Sequence, residues 1–91
     1  MKRHELLHVM IIEDKISQRY SQLSGKLKLA ADFIVENPLD VASRSLRSIA
    51  ASAGLSPATF SRLAKALNYE SYEELREESR RSVSDRMESF S

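Results

Sequence analysis

The 91-residue sequence contains no cysteine and only two glycines and two prolines. Without cysteine, the chain forms neither a disulfide framework nor a metal site built on thiolates. The lack of cysteine also fits a reducing compartment, and we expect a cytoplasmic protein. The scarcity of glycine and proline, together with the lack of an alternating strand pattern, favours an all-helical chain over a turn-rich β fold.

Long apolar runs are also missing. No stretch reaches membrane-spanning length, and Glu5 and His8 interrupt the apolar residues near the N-terminus, so we expect neither a membrane span nor a signal peptide. A chain of this size makes one domain with a small core, too short for a closed catalytic cleft. It contains no nucleophile–base arrangement and no glycine-rich phosphate loop. We therefore predict neither an enzyme nor a cofactor site.

The two histidines, His4 and His8, are four residues apart. On a helix they would share one face, which is a spacing that can hold a metal ion. No acidic third ligand is placed beside them, and the N-terminal stretch around them has no regular pattern. A chance pair explains them better, and we predict no metal site.

Residues 46–65, LRSIAASAGLSPATFSRLAK, form the most informative pattern in the chain. Apolar residues recur at helical spacing in two short segments that meet at Gly54, a residue that tolerates the positive φ of a helix-ending turn. Ser56 and Pro57 follow in the favoured order of an N-cap and a first helical residue. Ala50 is small where the two helix axes would cross. This pattern predicts a helix-turn-helix.

The second helix of this motif has one apolar side and one side suited to DNA. At 3.6 residues per turn, Phe60 and Leu63 lie on the apolar side. Ala58, Arg62 and Lys65 lie opposite, which suits a helix whose N-terminal half enters the major groove. The residues predicted to face DNA are Arg44, Arg47, Ser56, Ala58, Thr59, Ser61, Arg62 and Lys65.

Side-chain chemistry indicates what these residues would contact. Arg62 is the best candidate for a bidentate contact with guanine, with a phosphate clamp as its alternative. Lys65 fits a phosphate contact, and Arg44 and Arg47, near the start of the first motif helix, are expected to meet the DNA backbone. The serine and threonine hydroxyls can bond to a phosphate or a base edge, so they specify no base.

Charge is distributed unevenly along the chain. Residues 41–69 hold Arg44, Arg47, Arg62 and Lys65 without one acidic residue, a formal charge of +4, although the whole chain carries only +1. An acid-free basic segment attracts phosphate, whereas acidic side chains would repel it. Helix pairs with a glycine turn also occur in all-α proteins that bind no DNA, so a plain structural helix pair is the alternative interpretation.

A helix is predicted over residues 25–36. Ser24 is its N-cap candidate, and the Asn37-Pro38 pair ends it, because proline disfavours a helical conformation at the residue before it. Its expected buried side consists of Leu27, Ala30, Ala31, Ile34 and Val35.

Between this helix and the motif, residues 39–42 are expected to form one short or irregular helical turn. Leu39 and Val41 would face inward from it. Either Ser43 or Ser45 would then cap the first helix of the motif.

A last helix is predicted to begin at a capping box formed by Ser71 and Glu74. Tyr72 and Leu75 would face inward, and Ser79 is a further candidate for that side. The sequence then becomes charged and serine-rich, so the helix is expected to fade between about residues 81 and 87. The predicted fold class is all-α, a compact bundle of about five helices that contains the helix-turn-helix.

Three regions are predicted along the chain. Residues 1–11 form an N-terminal extension with more apolar surface than one small domain easily buries, which suggests a dimerisation helix that packs on a second copy. Disorder of this stretch, or packing onto its own domain, is the alternative. Residues 12–81 form the DNA-binding domain, and residues 82–91 form a linker toward a further domain.

Three stretches of the sequence resemble a known family. They are ISQRYSQLSGKLKLAADFIVENP, SLRSIAASAGLSPATFSRLAKALNY and SYEELR, all within residues 12–81. The chain is similar to the N-terminal DNA-binding domain of RpiR-type (MurR/RpiR) bacterial transcriptional regulators. The resemblance implies a partner, double-stranded DNA, and implies control of genes for sugar or related metabolite use.

The same resemblance implies a larger protein. Such regulators carry a C-terminal sugar-isomerase-type (SIS) domain that binds a phosphorylated sugar or related metabolite, and they act as dimers or higher oligomers. This sequence stops at Ser91 without the α/β alternation of that domain. We therefore expect a homodimer whose sugar-phosphate effector acts only through a domain absent from these residues.

The competing interpretation is a helical protein-interaction or dimerisation module that does not bind DNA directly. The apolar N-terminal stretch and the acidic last helix favour it. The two interpretations differ in their dependence on salt and on Arg62, because an apolar protein interface responds little to either.

Overall fold

The computed structural model describes residues 12–89, with side chains for residues 12–83, and all the regular secondary structure in this part of the chain is helical. The predicted all-α bundle with a helix-turn-helix is therefore confirmed. The segment before the motif, predicted as one short or irregular helical turn over residues 39–42, is a regular helix of six residues. The elements are α1 (Ile12–Arg19), a 3-10 helix (Tyr20–Gln22), α2 (Gly25–Glu36), α3 (Pro38–Ser43), α4 (Leu46–Ala53), α5 (Pro57–Ala66) and α6 (Tyr72–Ser89).

Serine N-caps set the start of three helices. The side chain of Ser24 accepts a hydrogen bond from the backbone N–H of Leu27 at the start of α2. Ser45 caps α4 in the same way, which decides between the two serines considered for that role. Ser56 caps α5. Each cap satisfies a backbone donor that would otherwise lack an intrahelical partner, so the helix starts follow directly from the sequence.

The core is centred on α5, which packs against α2, α4 and α6. Phe60 is fully buried, with edge-to-face contacts to Phe33 of α2 at 6.4 Å and to Tyr72 of α6 at 6.2 Å between ring centroids. Leu63 and Ile49 are fully buried beside it. The residues predicted to be internal in the motif are therefore internal.

Two apolar residues predicted to face inward are exposed instead. Leu39 is 62 % exposed and Val35 is 38 % exposed. Because α3 is a helix that packs on α6 through its other side, with Val41 and Ala42 buried, Leu39 is turned toward solvent. Val35 lies one position beyond buried Ile34, a rotation of about 100°, which moves it to the rim of the groove between α1 and α2.

The last helix is longer than predicted. It continues to Ser89 and does not fade between residues 81 and 87. Ser79 and Ser82 are buried on its inner side, next to Tyr72 and Leu75, so the serine-rich composition marks a packed surface. Small side chains there allow the close approach of α3, whose main packing partner is α6.

The capping box at the start of α6 forms with one change of partner. The side chain of Ser71 accepts from the Glu74 backbone N–H at 3.4 Å, as predicted. The Glu74 carboxylate accepts from the backbone N–H of Glu70 at 2.6 Å, one residue before the position expected. Each of the two side chains still accepts a hydrogen bond from a backbone N–H at the start of α6, so this helix start is well defined.

Several predictions concern residues that the structure does not describe. The proposed dimerisation helix at residues 1–11 and the pair His4 and His8 lie outside the described residues. Within residues 12–89, no helix is both long enough and apolar enough to cross a membrane. The described part of the chain also contains no group of three or more side chains that could hold a metal ion.

Replacing Ser79 tests the account of the α6 packing. Its hydroxyl is buried and has no hydrogen-bond partner among the described residues. Ser79→Ala removes this desolvated hydroxyl and improves helix propensity, so we expect the free energy of unfolding to rise by about 0.5–1.5 kcal/mol. Urea unfolding followed by circular dichroism measures the change.

Ser82→Ala is the matched control, because the Ser82 hydroxyl donates to the Glu78 carbonyl at 3.1 Å. It gains the same helix propensity but loses a hydrogen bond. Equal stabilisation by the two substitutions would show that the unpartnered hydroxyl of Ser79 carries no cost.

Candidate nucleic-acid interface

A left-handed glycine forms the turn between α4 and α5. Gly54 has φ +73°, in the region that L side chains rarely adopt. Its N–H donates to the carbonyl of Ala51, and the N–H of Leu55 donates to that of Ala50 at 3.0 Å, which satisfies the last carbonyls of α4. Ser56 then caps α5. The turn predicted at Gly54 is therefore present, and it consists of the three residues 54–56.

The predicted DNA-facing side of α5 is largely open to solvent. Ser56, Ala58, Arg62 and Lys65 are exposed, and Ser61 is half-buried. The opposite side of the helix is buried in the core. Packing through one side of α5 thus presents a small first turn followed by two cations, which is the arrangement that the sequence pattern predicted.

Thr59 has a different environment from the rest of this group. It is 5 % exposed, and its hydroxyl is hydrogen-bonded to the Ser56 hydroxyl at 3.1 Å. On a helical wheel Thr59 and Ser61 lie at similar angles from the apolar stripe, and only the tertiary fold determines which flank is covered. The buried side chain of Thr59 supports the N-cap and does not form part of the open surface.

The two arginines near the start of α4, Arg44 and Arg47, differ in their exposure and contacts. Arg47 is exposed, whereas Arg44 is half-buried and lies along α4. Nε of Arg44 donates to Oγ of Ser48 at 2.9 Å, and Nη2 donates to Oγ of Ser52 at 2.6 Å. Nη2 also contacts the hydroxyl and the carbonyl of Ser48. Two serines of α4 therefore hold one edge of the Arg44 guanidinium.

An acidic residue near the site was missed at the sequence level. Asp40 of α3 lies one residue before the acid-free segment, and its Oδ2 is 3.8 Å from Nη1 of Arg44. The i, i+4 spacing of Asp40 and Arg44 is the signal that could have revealed it. The other three cations, Arg47, Arg62 and Lys65, have no ion pair within the described part of the chain.

Comparison with known families gives a match over most of the chain. The model of the helix-turn-helix domain of the rpiR family matches residues 10–86. No curated protein and no solved structure matches the chain significantly. The match includes the whole of the motif described above, from the start of α4 to the end of α5.

The two glycines of the chain allow a test of the turn. A Cβ at either Gly54 or Gly25 would meet no atom within 4 Å, and of the two only Gly54 has a positive φ. Gly54→Ala is expected to lower the free energy of unfolding by about 1–2 kcal/mol, the cost of a left-handed alanine. Thermal unfolding followed by circular dichroism reports the change.

Gly25→Ala is the control, since it adds the same methyl group at the start of α2. It should leave stability unchanged or raise it by up to about 1 kcal/mol through the unfolded state. Similar losses for both variants would contradict the view that the left-handed turn requires glycine.

Proposed function

Because the chain belongs to the rpiR family of helix-turn-helix domains, we propose that it binds double-stranded DNA through the open side of α5, as the DNA-binding domain of a bacterial transcriptional regulator. The observation that carries this proposal is the surface of α4 and α5. These two helices carry no acidic residue, and Arg47, Arg62 and Lys65 extend from them without acidic partners among residues 12–83. Such a surface attracts the phosphate backbone.

The first half of α5 suits the major groove. That groove is about 12 Å wide and admits one α-helix. Ala58 is exposed and small, which allows the helix to approach the base edges closely. Arg62 lies one turn later with a guanidinium that makes no ion pair among residues 12–83, and we assign it the bidentate contact with guanine. Ser56 and Ser61 add hydroxyls that can bond to phosphates or bases.

Contacts with the DNA backbone complete the proposed interface. Arg47 extends from the first turn of α4, the helix that crosses the backbone in a helix-turn-helix, and we assign it a phosphate contact together with Lys65 and Arg44. We assign Thr59 a supporting role, because its buried hydroxyl holds the cap residue Ser56.

We further propose that two copies act together on a palindromic or direct-repeat operator. Each copy offers few phosphate contacts, so a single domain would bind weakly, and a second linked site would raise the affinity through effective concentration. Control of sugar or related metabolite genes, and a sugar-phosphate effector bound by a further domain, are part of the proposal through the family resemblance.

A second candidate function is a helical protein-interaction module. Exposed Leu29 of α2 and Leu39 of α3 favour it, with exposed fractions of 57 % and 62 %. Neither residue lies on α4 or α5, so this surface and the proposed DNA surface can be tested separately.

The charge of Arg62 provides the first test of DNA binding. Fluorescence anisotropy of a labelled mixed-sequence duplex would be measured at about 50 and 200 mM salt, a range over which phosphate-driven binding changes strongly. Wild-type affinity should fall with salt, and Arg62→Glu should lower affinity by about tenfold or more at the lower concentration.

Arg80→Glu is the control for this measurement. Arg80 is an exposed arginine of α6 paired with Glu77 at 3.5 Å, so its reversal changes the net charge equally but at another surface. If both reversals weakened binding equally, the effect would come from net charge and the placement of the interface on α5 would be wrong.

Ala58→Glu tests the close approach of α5. Ala58 is exposed in the first turn, so a longer acidic side chain can be accommodated by the free protein but would meet the DNA. We expect DNA affinity to fall at least about tenfold, with little change in the melting temperature.

Ser17→Glu supplies a matched change of charge on an exposed position of α1. It should leave DNA affinity within about twofold of the wild type at 200 mM salt, because distant surface charges are screened there. Unchanged affinity in Ala58→Glu would refute the proposed DNA-facing side.

A further inference from the structure

We propose that the Asp40 carboxylate competes with a DNA phosphate for the guanidinium of Arg44, and we call this competition the gate. In the free protein Asp40 occupies the position next to the Arg44 guanidinium that a DNA phosphate takes in the complex, and it thereby limits the affinity. This inference rests on the proposed DNA binding and adds to it one acidic residue that regulates the strength of the contact.

The hydrogen bonds of Arg44 leave one nitrogen available. Nε and Nη2 are held by the hydroxyls of Ser48 and Ser52 and by the carbonyl of Ser48. Nη1 makes no hydrogen bond within residues 12–83, and the Asp40 carboxylate is 3.8 Å from it, which is too long for a hydrogen bond. Ser48 and Ser52 thus act as positioning residues that orient Nη1 toward Asp40.

A phosphate oxygen can readily replace the Asp40 carboxylate next to Nη1 of Arg44. The side chains of Arg44 and Asp40 are 35 % and 47 % exposed, and an exposed ion pair without a hydrogen bond stabilises a folded protein little. A phosphate oxygen can offer Nη1 a charge-assisted hydrogen bond that Asp40 does not make in the free protein. Phosphate is therefore the stronger partner, and the exchange disturbs neither serine contact.

Asp40 and Arg44 lie just before the start of α4, where the proposed interface contacts the DNA backbone. Arg44 directly precedes the cap residue of α4, and Asp40 lies one turn earlier on α3. A phosphate close enough to bind Nη1 would also lie near the Asp40 carboxylate, so the two negative charges repel each other when DNA is bound. Asp40 thus opposes binding in two ways, by occupying Arg44 before binding and by repelling the phosphate afterwards.

The test compares Asp40→Asn with Glu36→Gln by the same anisotropy titration, on the whole 91-residue chain. Both substitutions remove one negative charge at nearly constant shape. Glu36 is exposed, lies four residues before Asp40, and has no basic partner in the described part of the chain. We expect Asp40→Asn to raise DNA affinity about three- to tenfold at 50 mM salt and Glu36→Gln to change it less than about twofold.

A double-mutant cycle with Arg44→Ala shows whether Asp40 acts through Arg44. The affinity gained by Asp40→Asn should shrink to less than half in the Arg44→Ala background, because no guanidinium is then available to release. Circular dichroism melting of each variant confirms that binding is compared between folded proteins, since Asp40 also lies in the first turn of α3.

The possible outcomes separate this inference from the proposed function. Wild-type binding that falls with salt, together with a gain in Asp40→Asn alone that depends on Arg44, supports the gate. Equal gains in Asp40→Asn and Glu36→Gln, or a gain that persists without Arg44, overturn the gate but leave DNA binding in place. Absence of binding by the folded wild type at low salt overturns both.

Discussion

The contact on which the rest of the structure depends is the burial of Phe60 between α2 and α6. Its ring meets Phe33 and Tyr72 edge to face, so one residue of α5 joins the two neighbouring helices. Aromatic pairs of this kind contribute about 0.5–1.5 kcal/mol beyond the burial of their surface. Because Phe60 fixes the rotation of α5 about its own axis, it also determines that Ala58, Arg62 and Lys65 point outward. The rotation of α5 about its axis therefore determines both which of its residues form the core and which form the proposed DNA surface.

The helix starts and the turn could be predicted from the sequence because they are local. A serine three residues before a helical backbone donor, or a glycine where the chain needs positive φ, acts within one turn of chain. Ser24, Ser45, Ser56 and Gly54 all have the predicted roles. Asn68, just after α5, also has a left-handed conformation, with φ 72°. The DNA-facing role of residues on α4 and α5 remains a prediction.

The features that could not be predicted depend on neighbours distant in sequence. Thr59 and Ser61 are equivalent on a helical wheel, and the rest of the fold decides that Thr59 is covered. Leu39 looked internal because it is apolar, but α3 packs on α6 through Val41 and leaves Leu39 outside. The last helix extends beyond its predicted end, because serine counts as polar in composition although Ser79 and Ser82 are buried against the rest of the fold.

In the Asp40–Arg44 pair the backbone is rigid, whereas the contact between the two side chains can change. The N–H of Arg44 donates to the carbonyl of Asp40 at 2.8 Å, so the two backbones are fixed relative to each other. One residue, Asn37, separates α2 from α3, and two residues separate α3 from α4, which leaves little freedom at either end. Exchange of Asp40 for a phosphate therefore requires only side-chain rotation, which in exposed residues takes picoseconds to nanoseconds. The proposed competition by Asp40 therefore lowers the affinity for DNA without requiring a conformational change of the domain.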